Sequence, residues 1–396
     1  MKKPVPTEKQ LEFMNWELGV FFHFGIRTFN EGHTDWDGVH MDVKTFLPTQ
    51  LNAEQWIKTA AAGNAKYAVL TAKHHDGFAL WPSEFTEYSV KNSPWKNGQG
   101  DVVREFTDAC RKYSLKAGLY YSPAQFGSRQ MQGKEYDDYF INQISELLSN
   151  YGKIDYLWFD GCGSEGHSYD EKRIISAIRA LQPDILIFNM WDPDTRWVGN
   201  EEGFAPLGTS LEENGKLLPF ECDCKIRPHN WFFSENDAET LRSLENLEGL
   251  YDMSVGRGGN LLINIAPDRR GLIPERDEKR FAEFGERIRK KYSSPIKSDI
   301  IRSGDAYNIS STLSVNANTL IISENLKRGE CVTDFSVYYN CCGNEILLYV
   351  GKTVGHKQII HFPTVFLEGE RKLTLKITGS RGEYEIEDIR VYDLKI

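Results

Sequence analysis

Strand-like and helix-like segments alternate along this chain from its start to about residue 292. The strand-like runs are short and apolar. The segments between them space their apolar residues as helices do, some with a capping residue such as Asn52 or Asp101 in front. Strand-then-helix repeated this often implies parallel strands joined by right-handed crossovers. The predicted strands are residues 19–24, 66–71, 117–122, 154–159, 185–189 and 260–265, and the predicted helices are residues 53–62, 102–113, 138–150, 171–181, 238–247 and 275–290.

A closed barrel fits this alternation better than an open sheet. The alternating segment is close to the roughly 250 residues typical of a (β/α)8 barrel. An open sheet would normally place a glycine-rich phosphate loop after its first strand, and residues 19–25 contain none. We therefore predict an α/β fold with a (β/α)8-like catalytic barrel over residues 1–292, in which the irregular stretch 195–233 leaves the sixth strand undefined.

The pattern changes after about residue 295. Short runs of alternating polar and apolar residues follow one another, separated by glycine, asparagine and charged turns, as in an antiparallel sandwich. With the joint at residues 293–295 (SSP), we predict a C-terminal β-sandwich domain over residues 296–396. Its predicted strands are residues 317–323, 331–339, 345–350, 358–362, 371–378 and 384–391.

Composition and charge disfavour several classes of partner. With 40% hydrophobic and 26% charged residues, the chain has the balance of a soluble globular protein. A net charge of -10 disfavours nucleic acid and anionic membrane, which both attract basic surfaces. The N-terminus lacks the apolar stretch of a secretory signal. We expect a cytoplasmic protein as the chain is given, or a secreted or periplasmic one if a signal has been removed.

The seven cysteines form no regular framework. Their number is odd, and Cys222-x-Cys224 lacks both the two-residue spacing and the second pair of a zinc site. We interpret them as reduced thiols.

Candidate catalytic groups stand at the ends of the predicted barrel strands, where barrel enzymes place their active sites. Asp160 ends the run IDYLWFDG, His23 ends the first strand, and His74 and His75 follow the second. A carboxylate beside aromatic residues suits a sugar, which has one apolar face and a ring of hydroxyls. The other interpretation of Asp160 is that it caps a helix or stabilises a turn.

Alternation along the strands orders their side chains further. On the third strand Tyr120 and Ser122 share the face of Gly118, and on the fourth Trp158 shares the face of Asp160. We expect these sets to line the barrel mouth and the leucine-containing sets to meet the outer helices.

Histidines at a barrel mouth can also indicate zinc. Metal barrels typically use two histidines separated by one residue, so that alternation aims both inward. Here His74 and His75 are adjacent, so a regular strand would aim them apart, His23 stands alone, and no His-x-His occurs in the chain. We therefore predict no metal and no cofactor, with a zinc-dependent barrel hydrolase that uses these three histidines as an alternative.

Hydrolysis of a glycoside without a metal requires two carboxyl groups in different environments. Asp160 has a candidate partner in the loop WVGNEEG at residues 197–203, where Glu201 and Glu202 stand between glycines. An isolated pair of glutamates is usually an exposed acidic loop. This loop follows strand five, however, and should lie on the same rim as Asp160.

Five motifs of the chain resemble those of the α-L-fucosidases of glycoside hydrolase family 29. They are GVFFHFG (19–25), AKHHDGF (72–78), GLYYS (118–122), LWFDG (157–161) and GGNLLINIAP (258–267), in the family's order over roughly residues 10 to 290. The resemblance implies a (β/α)8-like catalytic domain followed by a β-sandwich, and a retaining mechanism in which Asp160 is the nucleophile. It also implies a set of fucose-binding side chains: His23, Asp35, Trp36, His74, His75, Tyr120, Trp158, Arg227 and Trp231.

Two further segments, WVGNE (197–201) and ECDCKIRPHNWF (221–232), resemble the subfamily that cleaves α-1,3- and α-1,4-linked fucose. In that pattern Glu201 is the acid/base, kept protonated by an apolar setting and about 5–5.5 Å from the nucleophile. The sequence departs from the family at Asp35, where glutamate is more usual, and leaves an exchange between Glu201 and Glu202 open.

The implied substrate is terminal fucose on branched, Lewis-type oligosaccharides or glycoconjugates. The remaining alternative is a sugar-binding protein without turnover, with the sandwich as a lectin-like module. The pair of acids favours the enzyme, since a binding protein needs no such pair. The sequence leaves the oligomeric state undetermined.

Overall fold

The computed structural model describes residues 3–32, 39–124 and 131–395. Its α-helices are α1 (Glu8–Met14), α2 (Ala53–Ala62), α3 (Val102–Lys112), α4 (Lys134–Asn150), α5 (Glu171–Leu181), α6 (Leu244–Ser254) and α7 (Glu275–Lys291). The strands before α7 are β1 (Leu18–Phe22), β2 (Tyr67–Lys73), β3 (Lys116–Tyr121), β4 (Tyr156–Phe159), β5 (Leu186–Phe188), β6 (Arg196–Trp197), β7 (Glu212–Glu213), β8 (Lys216–Leu217), β9 (Phe220–Lys225) and β10 (Asn260–Asn264). Those after α7 are β11 (Asp299–Ser303), β12 (Ala306–Ser310), β13 (Val315–Glu324), β14 (Val332–Cys341), β15 (Asn344–Gly351), β16 (Gln358–Leu367), β17 (Lys372–Ser380) and β18 (Ile386–Tyr392).

Eight strands form one parallel sheet in the order β5-β4-β3-β2-β1-β10-β9-β6. Phe188, at the end of β5, makes a parallel bridge with Thr195, which immediately precedes β6. The two edges of the sheet therefore meet, and the barrel is nearly closed. The predicted fold class, a (β/α)8-like barrel followed by antiparallel sheets, is confirmed.

The barrel departs from strict alternation between β5 and β9. Helices α2 to α5 follow β1 to β4, and α6 and α7 follow β9 and β10. The hairpin of β7 and β8 lies between β6 and β9, where a helix would complete the repeat. The undefined sixth strand is the two-residue β6, and the stretch predicted as irregular also contains β9. Helix α6 begins later than predicted because Ser243 caps it through the amide of Asn246.

The barrel interior is filled by aromatic rings, and α1 closes its lower end. Phe13, on α1, contacts Tyr156, the first residue of β4, and Trp16, just after α1, contacts Tyr67, the first residue of β2; the ring centroids lie 5.3 Å apart in each pair. A side chain at Gly19 would come within 2.3 Å of the Tyr67 ring, so β1 needs a glycine there. A ligand can therefore enter only from the C-terminal ends of the strands.

The C-terminal strands form two antiparallel sheets, of order β11-β12-β17-β14-β15 and β16-β13-β18. Their inward side chains, among them Leu320, Phe335 and Leu375, form one hydrophobic core. All six strands predicted for this half are present. The structure adds the hairpin β11–β12, which sequence patterning missed because every residue of β11 is exposed at the edge of its sheet.

Within the described ranges, no helix is both long and apolar enough to cross a membrane. All seven cysteines lie in those ranges, and each is a free thiol.

Candidate active site

The C-terminal ends of the barrel strands surround a cavity of about 320 Å³. Its floor is the aromatic filling of the barrel, and its rim comes from the loops that follow the strands. This volume is at the small end of the range for ligand sites, so it suits one sugar ring better than an oligosaccharide. The lining residues are Phe21, His23, His74, His75, Tyr120, Trp158, Asp160, Gly161, Cys162, Phe188, Asn189, Trp197, Glu201, Asp223 and Trp231.

Asp160 follows β4 directly, and 26% of its side chain is exposed, towards the cavity. Oδ1 accepts a hydrogen bond from the Cys162 amide at 2.9 Å, and Oδ2 accepts one from the Tyr120 hydroxyl at 2.9 Å. Oδ2 also lies 3.4 Å from Nε2 of His75. Burial alone would raise the pKa of Asp160, but these three donors more than offset burial and hold the pKa below its usual value. The carboxylate is therefore ionised at neutral pH, as a nucleophile must be.

His75 carries the positive charge of the cavity. Its Nδ1 lies 2.5 Å from Oγ of Ser122, and that hydroxyl donates to the carbonyl of Ala124 at 2.8 Å. Because the hydroxyl hydrogen is committed to Ala124, Nδ1 must itself hold a proton. Burial would lower the pKa of His75, but the hydrogen bonds and charges of Asp160 and Cys162 raise it to about 9. His75 is therefore an imidazolium paired with Asp160.

His23 and His74 are neutral because burial disfavours their charged forms. Burial lowers the pKa of His23 to about 3, although Oδ1 of Asn264, at 2.9 Å from Nδ1, opposes this shift. Burial, together with the charge of His75, holds the pKa of His74 well below its usual value. Each neutral imidazole has one donor and one acceptor nitrogen, which suits the hydroxyls of a sugar.

The expectation that His74 and His75 point apart is wrong. Strand β2 shifts its register between Thr71 and Lys73 and ends at Lys73, so regular alternation does not extend to the two histidines. Their ring centroids lie 4.3 Å apart, and both rings line the cavity.

Stacked aromatic rings form one wall of the cavity. The Trp158 ring lies between Tyr120, at a centroid distance of 5.4 Å, and Phe188, at 4.1 Å, and both pairs are nearly parallel. Trp231 lies across the cavity mouth, 4.8 Å from the ring of His23. Aromatic faces of this kind suit the apolar face of a sugar.

Glu201 lines the same cavity from the loop after β6. Its Oε2 lies 3.2 Å from Nζ of Lys225 and accepts a hydrogen bond of 3.2 Å from Nε1 of Trp231. The predicted apolar setting is wrong, because 50% of the side chain is exposed and an ammonium group adjoins the carboxylate.

Glu202 is not part of the cavity lining. Its side chain is exposed, and its amide donates to Oδ1 of Asn200 at 3.0 Å in a tight turn. Of the two adjacent acids, only Glu201 lines the cavity.

A second cavity, of about 620 Å³, adjoins the first. Glu201 and Trp231 line both cavities and therefore form the boundary between them. Its walls combine polar side chains, among them Arg27, Lys225 and His229, with the rings of Trp231, Phe232 and Phe233.

Comparison with known proteins identifies the family of the chain. Residues 3–291 match the family model described as Alpha-L-fucosidase. The chain belongs to the α-L-fucosidase family.

Relatives of this fucosidase-family chain match at the level of both sequence and fold. Alpha-L-fucosidase 1 of Arabidopsis thaliana is 38% identical over 72% of this chain, which spans 60% of the length of the Arabidopsis protein. A glycoside hydrolase 29 family member from an unknown rumen bacterium is 32% identical with a TM-score of 0.92, covering 100% of this chain and 78% of that one. A Ruminococcus gnavus glycoside hydrolase family 29 fucosidase in complex with fucose is 25% identical with a TM-score of 0.86, covering 99% and 95%.

Most of the sequence-predicted site residues of this fucosidase-family chain converge on the cavity, but Arg227 does not. Its guanidinium is buried in ion pairs with Asp277, at 2.8 Å, and Asp237, at 3.2 Å. It therefore anchors the segment that carries Trp231, and its assignment as a direct contact to the sugar stays a prediction. Asp35 and Trp36 lie outside the described residues.

Sequence patterning missed several residues of the site. Asn264, on β10, accepts from the amide of His23 at 3.2 Å and donates to the carbonyl of Trp231 at 2.7 Å, so it ties two walls together. The sequence feature that could have indicated Asn264 is its place in the GGNLLINIAP motif. Lys225 and the acids of β9 were also missed, since charged residues interrupt the apolar pattern of that strand.

Among the residues that the structure describes, no three or more histidine, cysteine or acidic side chains are arranged to hold one metal ion. His23 and His75 instead have hydrogen-bond partners within the protein, in Asn264 and Ser122.

Proposed function

We propose that the protein is a retaining, exo-acting α-L-fucosidase that releases terminal α-1,3- or α-1,4-linked fucose from branched oligosaccharides or glycoconjugates. The observation that carries the proposal is the placement of two acids. Asp160 lies inside the small cavity, and Glu201 lies at its boundary with the larger one. This arrangement suits a nucleophile beneath the sugar and a proton donor where the leaving group departs, as the retaining mechanism requires.

In the first step a carboxylate oxygen of Asp160 attacks the anomeric carbon of fucose. The bond to the departing oxygen breaks, and Glu201 donates its proton to that oxygen, so that the leaving sugar departs as an alcohol. Tyr120 and the Cys162 amide orient the attacking carboxylate through their hydrogen bonds to Oδ2 and Oδ1. The positive charge of His75 keeps the Asp160 carboxylate ionised.

In the second step water replaces the leaving group. Glu201, now a carboxylate, takes a proton from the water as the water oxygen attacks the anomeric carbon. The bond to Asp160 breaks, and fucose leaves with its original configuration. The neutral imidazoles of His23 and His74 supply hydrogen bonds to the sugar in both steps.

The shape of the cavities supports exo action on a branched substrate. The floor of the small cavity is closed by stacked rings, so only a terminal sugar can be seated. The adjoining cavity of about 620 Å³ has room for more than one sugar beyond the scissile bond.

Kinetics of two variants test the catalytic roles. Asp160→Ala should lose about 10³-fold or more of its activity on an aryl α-L-fucoside, because no covalent intermediate can form. Azide should rescue Glu201→Ala and yield a fucosyl azide with the configuration of the substrate. Full activity of Asp160→Ala, or an azide product of inverted configuration, would overturn the mechanism. Glu202→Ala is the matched control, and loss in that variant with normal activity of Glu201→Ala would exchange the two acids.

Linkage preference requires a second assay. The wild-type protein should release fucose from a Lewis-type trisaccharide and leave a 2'-fucosylated trisaccharide intact. Equal rates on both substrates would refute the branched specificity while leaving the fucosidase activity in place.

A further inference from the structure

Each of the three tryptophans that line the small cavity donates its indole N–H to a carboxylate. The distances from Nε1 to the carboxylate oxygen are 2.8 Å for Trp158 and Glu221, 2.6 Å for Trp197 and Asp223, and 3.2 Å for Trp231 and Glu201. Glu201 belongs to the reaction, as argued above. The other two acids, Glu221 and Asp223, stand on β9 and have no part in the proposed chemistry.

Strand β9 presents these acids to the barrel interior by regular alternation. Cys222 and Cys224, the residues between and after them, pack into hydrophobic clusters outside the barrel. Glu221 therefore lies deeper in the barrel and Asp223 nearer its mouth. Lys225, two residues further, reaches Glu201 and covers the Trp231 ring, with Nζ 4.4 Å from its centroid.

Glu221 is fully buried beneath the cavity floor. Its Oε1 accepts from Trp158, and its Oε2 accepts from the Tyr67 hydroxyl at 2.6 Å. Burial raises the pKa of Glu221 to about 7, although the hydrogen bonds from Tyr67, Trp158 and Tyr156 oppose the shift. A buried carboxyl group is unfavourable compared with an apolar side chain of similar volume. Its presence here therefore calls for an explanation other than stability.

The indole of Trp158 needs an in-plane constraint. Stacking between Tyr120 and Phe188 fixes the plane of the ring but allows it to slide or rotate within that plane. An indole nitrogen can only donate, so a buried acceptor selects one orientation. The hydrogen bond to Glu221 supplies this constraint.

Trp197 has the same need for a different reason. It is 36% exposed and lies on the two-residue strand β6, so few packing contacts hold its ring. Its indole is anchored by the hydrogen bond to Asp223, which is itself buried.

We propose that Glu221 and Asp223 are positioning residues that set the orientation of the Trp158 and Trp197 rings against the substrate. Glu221 lies outside the cavity lining and Asp223 is part of it, and each acts through its indole. The proposal rests on the function proposed above, since it takes the small cavity as the fucose pocket.

Double-mutant cycles on the full-length protein test the proposal. Glu221→Leu removes the acceptor while keeping a similar volume, and Trp158→Phe removes the donor while keeping an aromatic ring. Each single variant should raise KM for an aryl α-L-fucoside about tenfold, the effect of losing one hydrogen bond, with a smaller change in kcat. The double variant should resemble the worse single variant, because the second change then has nothing left to remove.

The two indole–carboxylate pairs that involve β9 serve as experimental controls for each other. Asp223→Leu and Trp197→Phe should be coupled in the same way, whereas Glu221→Leu and Trp197→Phe should be additive. Glu221→Gln should recover much of the KM lost in Glu221→Leu, because its carbonyl can accept from Trp158 while its amide donates to the Tyr67 oxygen. A general loss of packing would produce neither selective coupling nor this recovery.

Additive effects of Glu221→Leu and Trp158→Phe would overturn the proposal. If Glu221→Leu does not fold, the indole N–H resonance of Trp158 in a ¹⁵N-tryptophan-labelled Glu221→Gln sample decides instead. That resonance, assigned by its loss in Trp158→Phe, should move more than those of the other indoles, and an unmoved resonance refutes the contact. Failure here leaves Asp160→Ala inactive as before, so it is distinguishable from failure of the proposed function.

Discussion

The three histidines that line this cavity differ in charge, and the groups around each one determine whether it is neutral or protonated. His23 and His74 are buried and therefore remain neutral. His75 is protonated because Asp160 lies on one side of its ring and a hydroxyl acceptor, Ser122, on the other. In the proposed mechanism the ion pair of His75 and Asp160 keeps the nucleophile ionised. It should also contribute to stability, because the folded state holds a proton on His75 more tightly than the unfolded chain does.

The stability contributed by His75 should disappear at alkaline pH. A histidine whose pKa is raised to about 9 on folding stabilises the protein fully below its unfolded pKa of about 6.5. That contribution is lost as pH rises through about 9. The free energy of unfolding of the wild type relative to His75→Gln should therefore fall by on the order of 3 kcal/mol between pH 6 and pH 10. Urea unfolding at several pH values measures it. A difference between wild type and His75→Gln that stays constant over this pH range would disprove the pairing.

At the scale of elements, the sequence pattern predicts the apolar strands and fails where inward side chains are polar. Strands β1 to β5 and β10 are predicted because apolar residues dominate both of their faces. Strand β9 escapes notice because its inward residues are acids, and an acid normally indicates solvent. The paired orientation of His74 and His75 also escapes prediction, because it depends on the register shift near the end of β2.

Arg227 shows how an element can be held by a residue that resemblance assigns to the substrate. The substitution Arg227→Met removes the guanidinium and leaves Asp237 and Asp277 buried without their cation. The free energy of unfolding should fall by about 3–5 kcal/mol, the usual effect of breaking a buried ion pair. Arg227→Lys keeps the charge but loses the bidentate contact, so its free energy of unfolding should lie between those of the wild type and Arg227→Met. Denaturant unfolding and KM on an aryl fucoside separate the roles: a large rise in KM at unchanged stability would restore Arg227 as a sugar contact.

At the scale of the whole molecule, the sandwich supports the segment that carries Glu201. Glu330, two residues before β14, is 3% exposed and receives hydrogen bonds from the Leu211 amide at 3.1 Å and from the Ser210 hydroxyl. Its other oxygen accepts from Thr353 at 2.5 Å. The long connection between β6 and β9 has no helix of its own to pack on the barrel. The sandwich therefore takes the place that a barrel helix would normally fill, which gives the C-terminal domain a role in supporting the barrel.

This support predicts that a change in the sandwich alters catalysis in the barrel. Glu330→Ala leaves the Leu211 amide and two hydroxyls without their acceptor, so the free energy of unfolding should fall by about 1–3 kcal/mol. Because the same segment places Glu201, kcat on an aryl fucoside should fall about tenfold with it. Glu345→Ala, which breaks only an exposed ion pair with Lys376 on β17, is the matched control and should change neither quantity. If Glu330→Ala loses stability while kcat stays at the wild-type value, then the sandwich stabilises the fold without positioning the acid, because displacement of that segment by even about 1 Å should be visible in the rate.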